Sequence, residues 1–388
     1  MKRHFRDILI DPSQLSSDAT KALDNLGIKY KQSDEKQIIP HYRQGKGVLA
    51  VKPKLGESMD TCATISDKYI CCNVKVLKSV SNCPYDCSYC FLQNYLNDGT
   101  TSVVGDTAAL VDEVKQKLSQ EPWRLFRIGT WELGDSLALE EETAQARSLI
   151  PAFAKLPNVL LELKTKSDIV DPILNLDHQE KTVVSWSLNA RTIVDEQEHR
   201  TASLDKRVAA IKKVADAGYL VGLHFDPMIY FDNWKVDYQE LIELVFQAVH
   251  PSRVAWLSVG SLRFNPEMKK KMEENFPQSK ITSEEMIKGN DGKIRYVKPL
   301  RLEMYDHFFN IVKKEIGYDD LSPMTDIHAN KPLIYYCMER WDVWEHTFGE
   351  SPDSIAHLDY LFAKNIHKRF SHLYPNLASL NTYKAHAD

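Results

Sequence analysis

Three cysteines in one short segment carry the clearest chemical signal of this sequence. The segment SVSNCPYDCSYCFLQNY places Cys83, Cys87 and Cys90 in the spacing C-x3-C-x2-C. Thiolates are the ligands that hold iron–sulfur clusters, and a short loop can wrap one four-iron cube with three of them. Three ligands on four irons leave one iron open, and an open position distinguishes a catalytic metal from a structural one. The spacing therefore predicts one 4Fe-4S cluster with a free iron.

The free iron indicates a reaction for this cluster. It can bind the amino and carboxylate groups of S-adenosylmethionine, and an electron from the cluster then breaks a carbon–sulfur bond to release a 5′-deoxyadenosyl radical. In such chemistry the protein supplies binding, orientation and exclusion of water. The structural alternatives are a zinc site, which usually takes four ligands, and thiols buried in a core. The other cysteines are expected to be structural: Cys62, Cys71, Cys72 and Cys337.

Composition narrows the class of protein. With 388 residues, 43% hydrophobic and 27% charged, the chain is typical of a globular protein with a full core. A net charge of −5 lacks the basic balance of a strong, non-specific nucleic-acid binder. The apolar run at residues 8–10 is too short for a secretory signal, and no run of 18 apolar residues predicts a membrane span. Seven cysteines in such a chain are expected to stay reduced in the cytoplasm.

From about residue 72, short β-rich runs alternate with longer helical patterns, which predicts parallel β/α units. In SLDKRVAAIKKVADAG, Ser203 can cap a helix and Gly218 can end it. Six such units joined by right-handed crossovers curl a sheet into a barrel or most of one, with the active site at the carboxyl ends of the strands. The predicted strands are 73–80, 124–129, 158–164, 182–188, 219–224 and 253–259, and the predicted helices between them are 106–119, 140–155, 168–176, 203–217 and 235–249.

The α/β chain is predicted to divide into three parts. Residues 1–71 form an N-terminal wrapping segment without clear periodicity, residues 72–262 form the barrel, and residues 263–388 form a C-terminal α/β extension. In the extension, the NDG of ITSEEMIKGNDGKIRYVK marks a turn between two strands. Helices are expected there at 266–274, 301–315 and 352–367.

Several segments beyond the cysteines resemble the spore photoproduct lyase family of the radical S-adenosylmethionine superfamily. They are FLQ after the cysteines, TKSDIVD, SWSLNARTI, HRTASLDKRVAAIKKVADAGY and GLHFDPMIYFDNW, within about 72–300. The resemblance implies a partial TIM barrel of six β/α units with one 4Fe-4S cluster and S-adenosylmethionine, and a flavodoxin or ferredoxin with its reductase as electron donor. The family's best-known activity reverses a thymine dimer in irradiated spore DNA. A hydrogen is abstracted from the methylene bridge, the bridging bond cleaves, and a cysteine thiol returns a hydrogen atom.

The resemblance also implies roles for single residues. By position, Lys166 matches the lysine that binds the cofactor carboxylate and Ser187 the serine beside it. A cation and a hydroxyl together satisfy a carboxylate in a partly desolvated pocket. Gly134 and Asp135 resemble the turn that meets the cofactor's amino group, and Asn189 is a further polar cofactor contact.

The segment KIRYVK stands where the family's DNA-contacting hairpin would be. Lys293, Arg295 and Tyr296 are its candidate DNA contacts, and phosphate contacts of this kind would make binding fall steeply with salt. The alternative is an ordinary amphipathic hairpin.

Two departures separate the chain from the family pattern. Where the family keeps its hydrogen-donor cysteine, the chain reads GTWELGDS, with Glu132 near that position, and a carboxylate cannot donate that hydrogen atom. Phe91 replaces a tyrosine thought to relay the hydrogen, while Tyr89 remains. We expect a lyase-like radical enzyme with Tyr89 and Glu132 as candidate catalytic residues and a thymine photoproduct in DNA as substrate. Two alternatives stay open: a radical enzyme acting on a small molecule or peptide, and a structural or sensory metal-binding protein.

Overall fold

Strands and helices alternate along most of the chain. The computed structural model describes residues 5–34, 39–62 and 68–386. The strands are β1 Asp7–Ile10, β2 Lys31–Gln32, β3 Val48–Lys52, β4 Met59–Thr61, β5 Lys75–Leu77, β6 Val80–Ser81, β7 Asp86–Cys87, β8 Thr101–Val104, β9 Phe126–Gly129, β10 Val159–Thr165, β11 Thr182–Ser187, β12 Glu198–His199, β13 Leu220–Met228, β14 Val254–Ser261, β15 Arg263–Phe264, β16 Met286–Lys288, β17 Ile294–Tyr296 and β18 Leu333–Tyr336. The helices are α1 Asp18–Asn25, α2 Tyr42–Gly45, α3 Leu92–Tyr95, α4 Thr107–Gln120, α5 Glu140–Thr143, α6 Gln145–Ala154, α7 Arg191–Gln197, α8 Leu204–Asp216, α9 Trp234–Ala248, α10 Pro266–Asn275, α11 Lys298–Ile316, α12 Trp341–Phe348, α13 Ile355–Arg369 and α14 Leu380–Ala385. Among these helices, none combines the length and apolar composition needed to cross a membrane.

The largest sheet has the order β4-β5-β9-β10-β11-β13-β14-β18. Its neighbours pair in parallel from β5 to β18, and only β4 runs antiparallel, to β5. Ile70, just before β5, donates its N–H to the carbonyl of Glu339, just after β18, at 3.0 Å. The sheet therefore curls until the segments flanking its first and last parallel strands touch.

All six predicted strands lie on parallel strands of this sheet, but the count of six is incomplete. The seventh, β18, comes from the predicted extension and completes the curl. It was missed because the four-residue run LIYY lies outside the β/α rhythm. The helix predicted at 168–176 is wrong: only a 3₁₀ turn forms there, at Asp171–Ile173, because Pro172 cannot donate a backbone N–H. The other predicted barrel helices correspond to α4, α5 with α6, α8 and α9.

The N-terminal segment builds more structure than the predicted wrapping. The strands β2-β1-β3-β8-β6 form a second sheet, with a small core that includes Ile10, Leu49 and Val103. Its strands are too short to show a clear period in the sequence. The predicted hairpin is confirmed as β16 and β17, with Gly292 in the turn at φ +80°. Residues 1–4, 35–38 and 63–67 of the predicted first part lie outside the described residues, and the division at 71 and 262 stays a prediction.

A buried carboxylate links four strands inside the barrel. Glu162 on β10 accepts a hydrogen bond from Ser185 Oγ on β11 at 2.7 Å and from Trp256 Nε1 on β14 at 3.1 Å. Its Oε1 also lies 2.7 Å from His224 Nε2 on β13. Burial alone would raise the pKa of Glu162, but His224 and the other partners hold it at about 2. This network fixes the floor beneath the carboxyl ends of the strands.

Candidate active site

The three cysteines lie in one loop at the carboxyl end of β5. Cys87 belongs to β7, which pairs antiparallel with β12 so that Cys87 faces Glu198, and Cys90 N donates to Cys87 O at 3.2 Å. Burial, and then the proximity of the thiols of Cys90, Cys83 and Cys87, raises the pKa of Tyr42 well above its usual value. The structure thus brings all three predicted ligands around one tyrosine hydroxyl.

A buried lysine holds this loop from beneath. Lys46 Nζ donates to Tyr42 Oη at 2.8 Å, to Cys83 O at 3.0 Å and to Tyr85 O. Its side chain is only 1% exposed. An ammonium here favours negative charge on the neighbouring sulfurs. Sequence reasoning missed Tyr42 and Lys46, because their i, i+4 spacing does not by itself point to a loop 40 residues away.

The donor set fits a cluster better than a single metal ion. Within the described ranges, no three His, Cys, Asp or Glu side chains lie close enough together to hold one ion. The thiolates of a cluster bind different irons, so they need not converge on a single point. Burial raises the pKa of Cys83 to about 12 and that of Cys87 well above its ordinary value, so metal binding here would displace protons.

The loop after β9 packs against the cysteine loop. A Cβ on Gly134 would lie 2.7 Å from Asn82 O, so only glycine permits this approach. Asp135 Oδ1 accepts from Thr165 Oγ1 at 2.6 Å and from two N–H groups of its own loop, and Oδ2 accepts from Lys166 N at 2.7 Å. Asp135 therefore ties this loop to the end of β10.

Lys166 and Tyr89 meet at a buried carboxylate. Lys166 Nζ lies 3.0 Å from Glu198 Oε1 and 3.2 Å from Tyr89 Oη, and the Tyr89 hydroxyl also donates to Glu198. Arg207 lies 2.6 Å from the other oxygen of Glu198. Although burial alone would raise it, Arg207 and Lys166 hold the pKa of Glu198 at about 2. Sequence reasoning missed Glu198 and Arg207, although Arg207 belongs to the HRTASLDKR stretch that carried the resemblance.

The two remaining cofactor candidates lie at the end of β11 and just beyond it. Ser187 is half-buried, and its carbonyl accepts from Arg207 at 3.1 Å. Asn189 is 1% exposed, and its amide donates to Pro227 O at 2.9 Å and accepts from Tyr238 Oη at 2.7 Å. The Ser187 side chain can therefore face the mouth of the barrel, whereas the Asn189 amide is already hydrogen-bonded to Pro227 and Tyr238.

Glu132 and Phe91, the two departures from the family pattern, differ in how deeply they are buried. Glu132 is buried in the loop after β9, with 7% of its surface exposed. Phe91 is 41% exposed and packs edge-on against Tyr95, with ring centroids 5.8 Å apart. The ring that replaces the relay tyrosine therefore lies on the surface.

The structure does not support the predicted DNA contacts of Arg295 and Tyr296. Arg295 is 2% exposed and pairs with Asp291, and Tyr296 is fully buried, with its hydroxyl accepting from Tyr230 N at 3.1 Å. The reason is that both faces of this strand are covered: Arg295 lies over the ring of Tyr69, and Tyr296, which points the other way, belongs to the main core. Lys293, before β17, is half-buried and stays a candidate.

We term one side of the site the cysteine-loop wall. It consists of the loop after β5, the turn at Gly134 and Asp135, and the pair Lys166 and Glu198. It gathers at the carboxyl ends of parallel strands, where open and closed α/β sheets bind ligands. The Lys166 ammonium and the three thiols of this wall, together with the half-buried Ser187 hydroxyl, lie at this end of the barrel.

Comparison with known proteins agrees with this geometry. The spore photoproduct lyase family model matches residues 38–317. The spore photoproduct lyase of Clostridium acetobutylicum is 23% identical over 357 residues, covering 87% of this chain and 97% of that protein. That of Bacillus subtilis is 23% identical over 284 residues, covering 70% and 81%.

Solved structures share the fold. A spore photoproduct lyase variant with bound AdoMet and dinucleoside spore photoproduct has a TM-score of 0.70 at 21% identity, covering 86% of this chain and 99% of that one. The curled α/β sheet is thereby confirmed. The chain belongs to the spore photoproduct lyase family of radical S-adenosylmethionine enzymes.

Proposed function

We propose that this chain holds a 4Fe-4S cluster on Cys83, Cys87 and Cys90, binds S-adenosylmethionine beside Lys166 and Ser187, and cleaves a thymine photoproduct in DNA. The observation that carries the proposal is the convergence of the three thiols with the Lys166 ammonium at one mouth of the barrel. The names of the relatives, and the bound AdoMet and dinucleoside spore photoproduct in one of them, support the choice of cofactor and substrate.

When bound, the cluster and S-adenosylmethionine supply a 5′-deoxyadenosyl radical for hydrogen abstraction. The chain's own residues bind and orient. The Lys166 ammonium and the Ser187 hydroxyl would satisfy the cofactor carboxylate. Glu198 and Tyr89 hold that ammonium in place, and Asp135 fixes the turn beside it.

Two cations at the mouth suit an anionic substrate. Lys164, at the end of β10, places its Nζ 3.5 Å from the centre of the Trp131 ring. Lys293 Nζ lies 3.6 Å from the sulfur of Met338. Among the described residues neither lysine forms an ion pair with a carboxylate, which favours a role for both in binding a phosphodiester. The partly buried Trp131 ring offers an apolar face to an unstacked base.

The test is anaerobic reconstitution of the full chain with iron and sulfide, followed by S-adenosylmethionine, dithionite and dinucleoside spore photoproduct. We expect 5′-deoxyadenosine together with repaired dinucleotide, and no product from the unmodified dinucleotide. Formation of 5′-deoxyadenosine without repair would instead favour a small molecule or peptide as substrate. Bound metal that yields no 5′-deoxyadenosine would favour a structural or sensory site.

The proposal includes the cellular context. A flavodoxin or ferredoxin with its reductase would replace dithionite as the electron donor, and the cytoplasm is the proposed location. Both follow from the family and from a site built on reduced thiols.

A further inference from the structure

A fourth thiol lies at the carboxyl end of β18, the last parallel strand of the curled sheet. Cys337 directly follows β18, and its N–H extends the ladder by donating to Val259 O at 2.8 Å. On the neighbouring strand β14, Trp256 reaches Glu162 in the interior, so Ser258 and Gly260 face the interior too, by the alternation of strand side chains. Asp226 holds the corresponding place on β13, two residues after His224.

These side chains touch one another. Arg263 donates to Asp226 Oδ1 at 2.8 Å and to Cys337 Sγ at 3.3 Å. A Cβ on Gly260 would lie 2.7 Å from Asp226 Oδ1 and 3.0 Å from Cys337 O, so the absence of a side chain at Gly260 makes room for this cluster. We term Asp226, Gly260, Arg263 and Cys337 the Cys337 wall.

Exposure separates Cys337 from the other cysteines outside the loop. Cys62, Cys71 and Cys72 are at most 8% exposed and belong to the main core. Cys337 is only partly buried and merely packs against that core. Of the four, Cys337 alone is placed to meet a molecule in the barrel mouth.

Two further observations point to a ligand beside Cys337. Ser258, one inward-facing position deeper on β14, is 1% exposed, and its Oγ has no hydrogen-bond partner among the described residues. A buried hydroxyl without a partner costs free energy unless a ligand or water satisfies it. The ammonium groups of Lys164 and Lys293 also act on Cys337 or its neighbours, and among the described residues neither lysine forms an ion pair with a carboxylate.

The thiol keeps its proton in this environment. Burial, and then the Asp226 carboxylate, raises the pKa of Cys337 well above its ordinary value, although Arg263 opposes the shift. A protonated thiol has a weak sulfur–hydrogen bond that can give up a hydrogen atom, whereas a thiolate has no such hydrogen. The buried Glu132, near the position where the family keeps its donor, has no hydrogen of this kind.

We propose that Cys337 donates the hydrogen atom that quenches the product radical, an inference that rests on the proposed function. After the bond between the two bases breaks, the carbon-centred product radical takes the hydrogen atom from Cys337, forming a carbon–hydrogen bond and leaving a thiyl radical. One electron from the low-potential reductant that also primes the cluster, and one proton from solvent, return the thiyl radical to the thiol. In this chain the hydrogen-atom donor then lies at the end of β18 rather than in the loop after β9.

The first test replaces the donor without changing its size. Cys337→Ser keeps the volume, but its O–H bond is too strong to give a hydrogen atom to a carbon radical. With the reconstituted full chain, we expect 5′-deoxyadenosine to form while repaired product per 5′-deoxyadenosine falls by about tenfold or more. Cys62→Ser, at the outer edge of the same sheet, is the matched control and should keep the wild-type ratio.

The outcomes separate the two proposals. An unchanged ratio in Cys337→Ser would overturn the donor assignment and leave the proposed function standing. A wild-type chain that forms no 5′-deoxyadenosine would overturn the proposed function itself.

A second test needs no turnover. In the cluster-free full chain, dinucleoside spore photoproduct should slow the modification of Cys337 by N-ethylmaleimide, as followed by peptide mass spectrometry, and should leave that of Cys62 unchanged. Because the same thiol is compared with and without the dinucleoside, the raised pKa of Cys337 does not affect the comparison. A rate of Cys337 modification that the dinucleoside leaves unchanged would show that the thiol does not face the substrate and would refute the assignment.

Discussion

The two walls of the barrel mouth are built in opposite ways. In the cysteine-loop wall, the three thiols lie within eight residues of sequence, and Asp135 and Glu198 are bonded to several neighbours each. In the Cys337 wall, one ion pair, one thiol and one glycine come from four strands spread over more than a hundred residues.

The difference follows from what each wall must do. Holding a cluster requires three thiols at short spacing, so a local motif can encode it. Meeting a substrate requires side chains around its whole perimeter, and these come from distant strands. A local motif such as the cysteine spacing can therefore stay the same while the distant residues that face a substrate change.

The largest effect should come from removing one cluster ligand. Cys87→Ala leaves two thiols in the loop, too few to hold a cube with one open iron. We expect loss of the cluster's visible absorption after reconstitution and no detectable 5′-deoxyadenosine. Cys62→Ala should retain both, and survival of either signal in Cys87→Ala would refute the ligand assignment.

Next comes the buried carboxylate that supports Lys166. Glu198→Ala leaves the charge of the fully buried Arg207 without its partner, which typically costs about 3–5 kcal/mol of unfolding free energy. Urea unfolding of the cluster-free chain measures this loss. Glu196→Ala, on the exposed face of the same segment, is the control. Equal midpoints for the two variants would contradict the role given to Glu198.

Glu162, the buried carboxylate beneath both walls, should make the stability of the chain depend on pH. The pKa of Glu162 is lowered from 4.5 to about 2 in the folded chain. Its contribution is therefore complete above pH 4.5 and is lost as the pH falls toward 2. Across that window, the unfolding free energy of the wild type should fall by about 3 kcal/mol more than that of Glu162→Gln.

The control for this comparison is Glu240→Gln on the exposed side of α9, which should follow the wild type. Parallel slopes for the wild type and Glu162→Gln would show that the network does not hold an ionised carboxylate.

The smallest effect is expected at the surface of the cysteine loop. Phe91→Tyr should change the unfolding free energy by less than about 0.5 kcal/mol, because the ring is exposed. It should also leave the ratio of repaired product to 5′-deoxyadenosine unchanged. Tyr89→Phe is the variant to compare with it. This change removes the hydroxyl bonded to Glu198 and Lys166 and should lower 5′-deoxyadenosine formation. A higher product ratio in Phe91→Tyr would mean that this ring turns inward during turnover.

The sequence predicted the cysteine-loop wall better than the hairpin. The three cysteines lie near one another and Cys87 lies near Lys166, because the cysteine loop and Lys166 follow strands β5 and β10 of the same parallel sheet. Arg295 and Tyr296 look like surface contacts in KIRYVK, but packing against the two faces of β17 buries them. The groups that cover these faces come from distant segments, so the burial could not be predicted from KIRYVK alone.

By itself, the sequence determined the chemistry of the loop and the rhythm of six strands, because both depend on spacing over a few residues. Only the tertiary structure decided that β18 completes the curl, that Glu198 meets both Lys166 and Arg207, and that Cys337 stands at the mouth of the barrel. These contacts join residues far apart in the chain. Their formation depends on the curling of the whole sheet, which no short segment encodes.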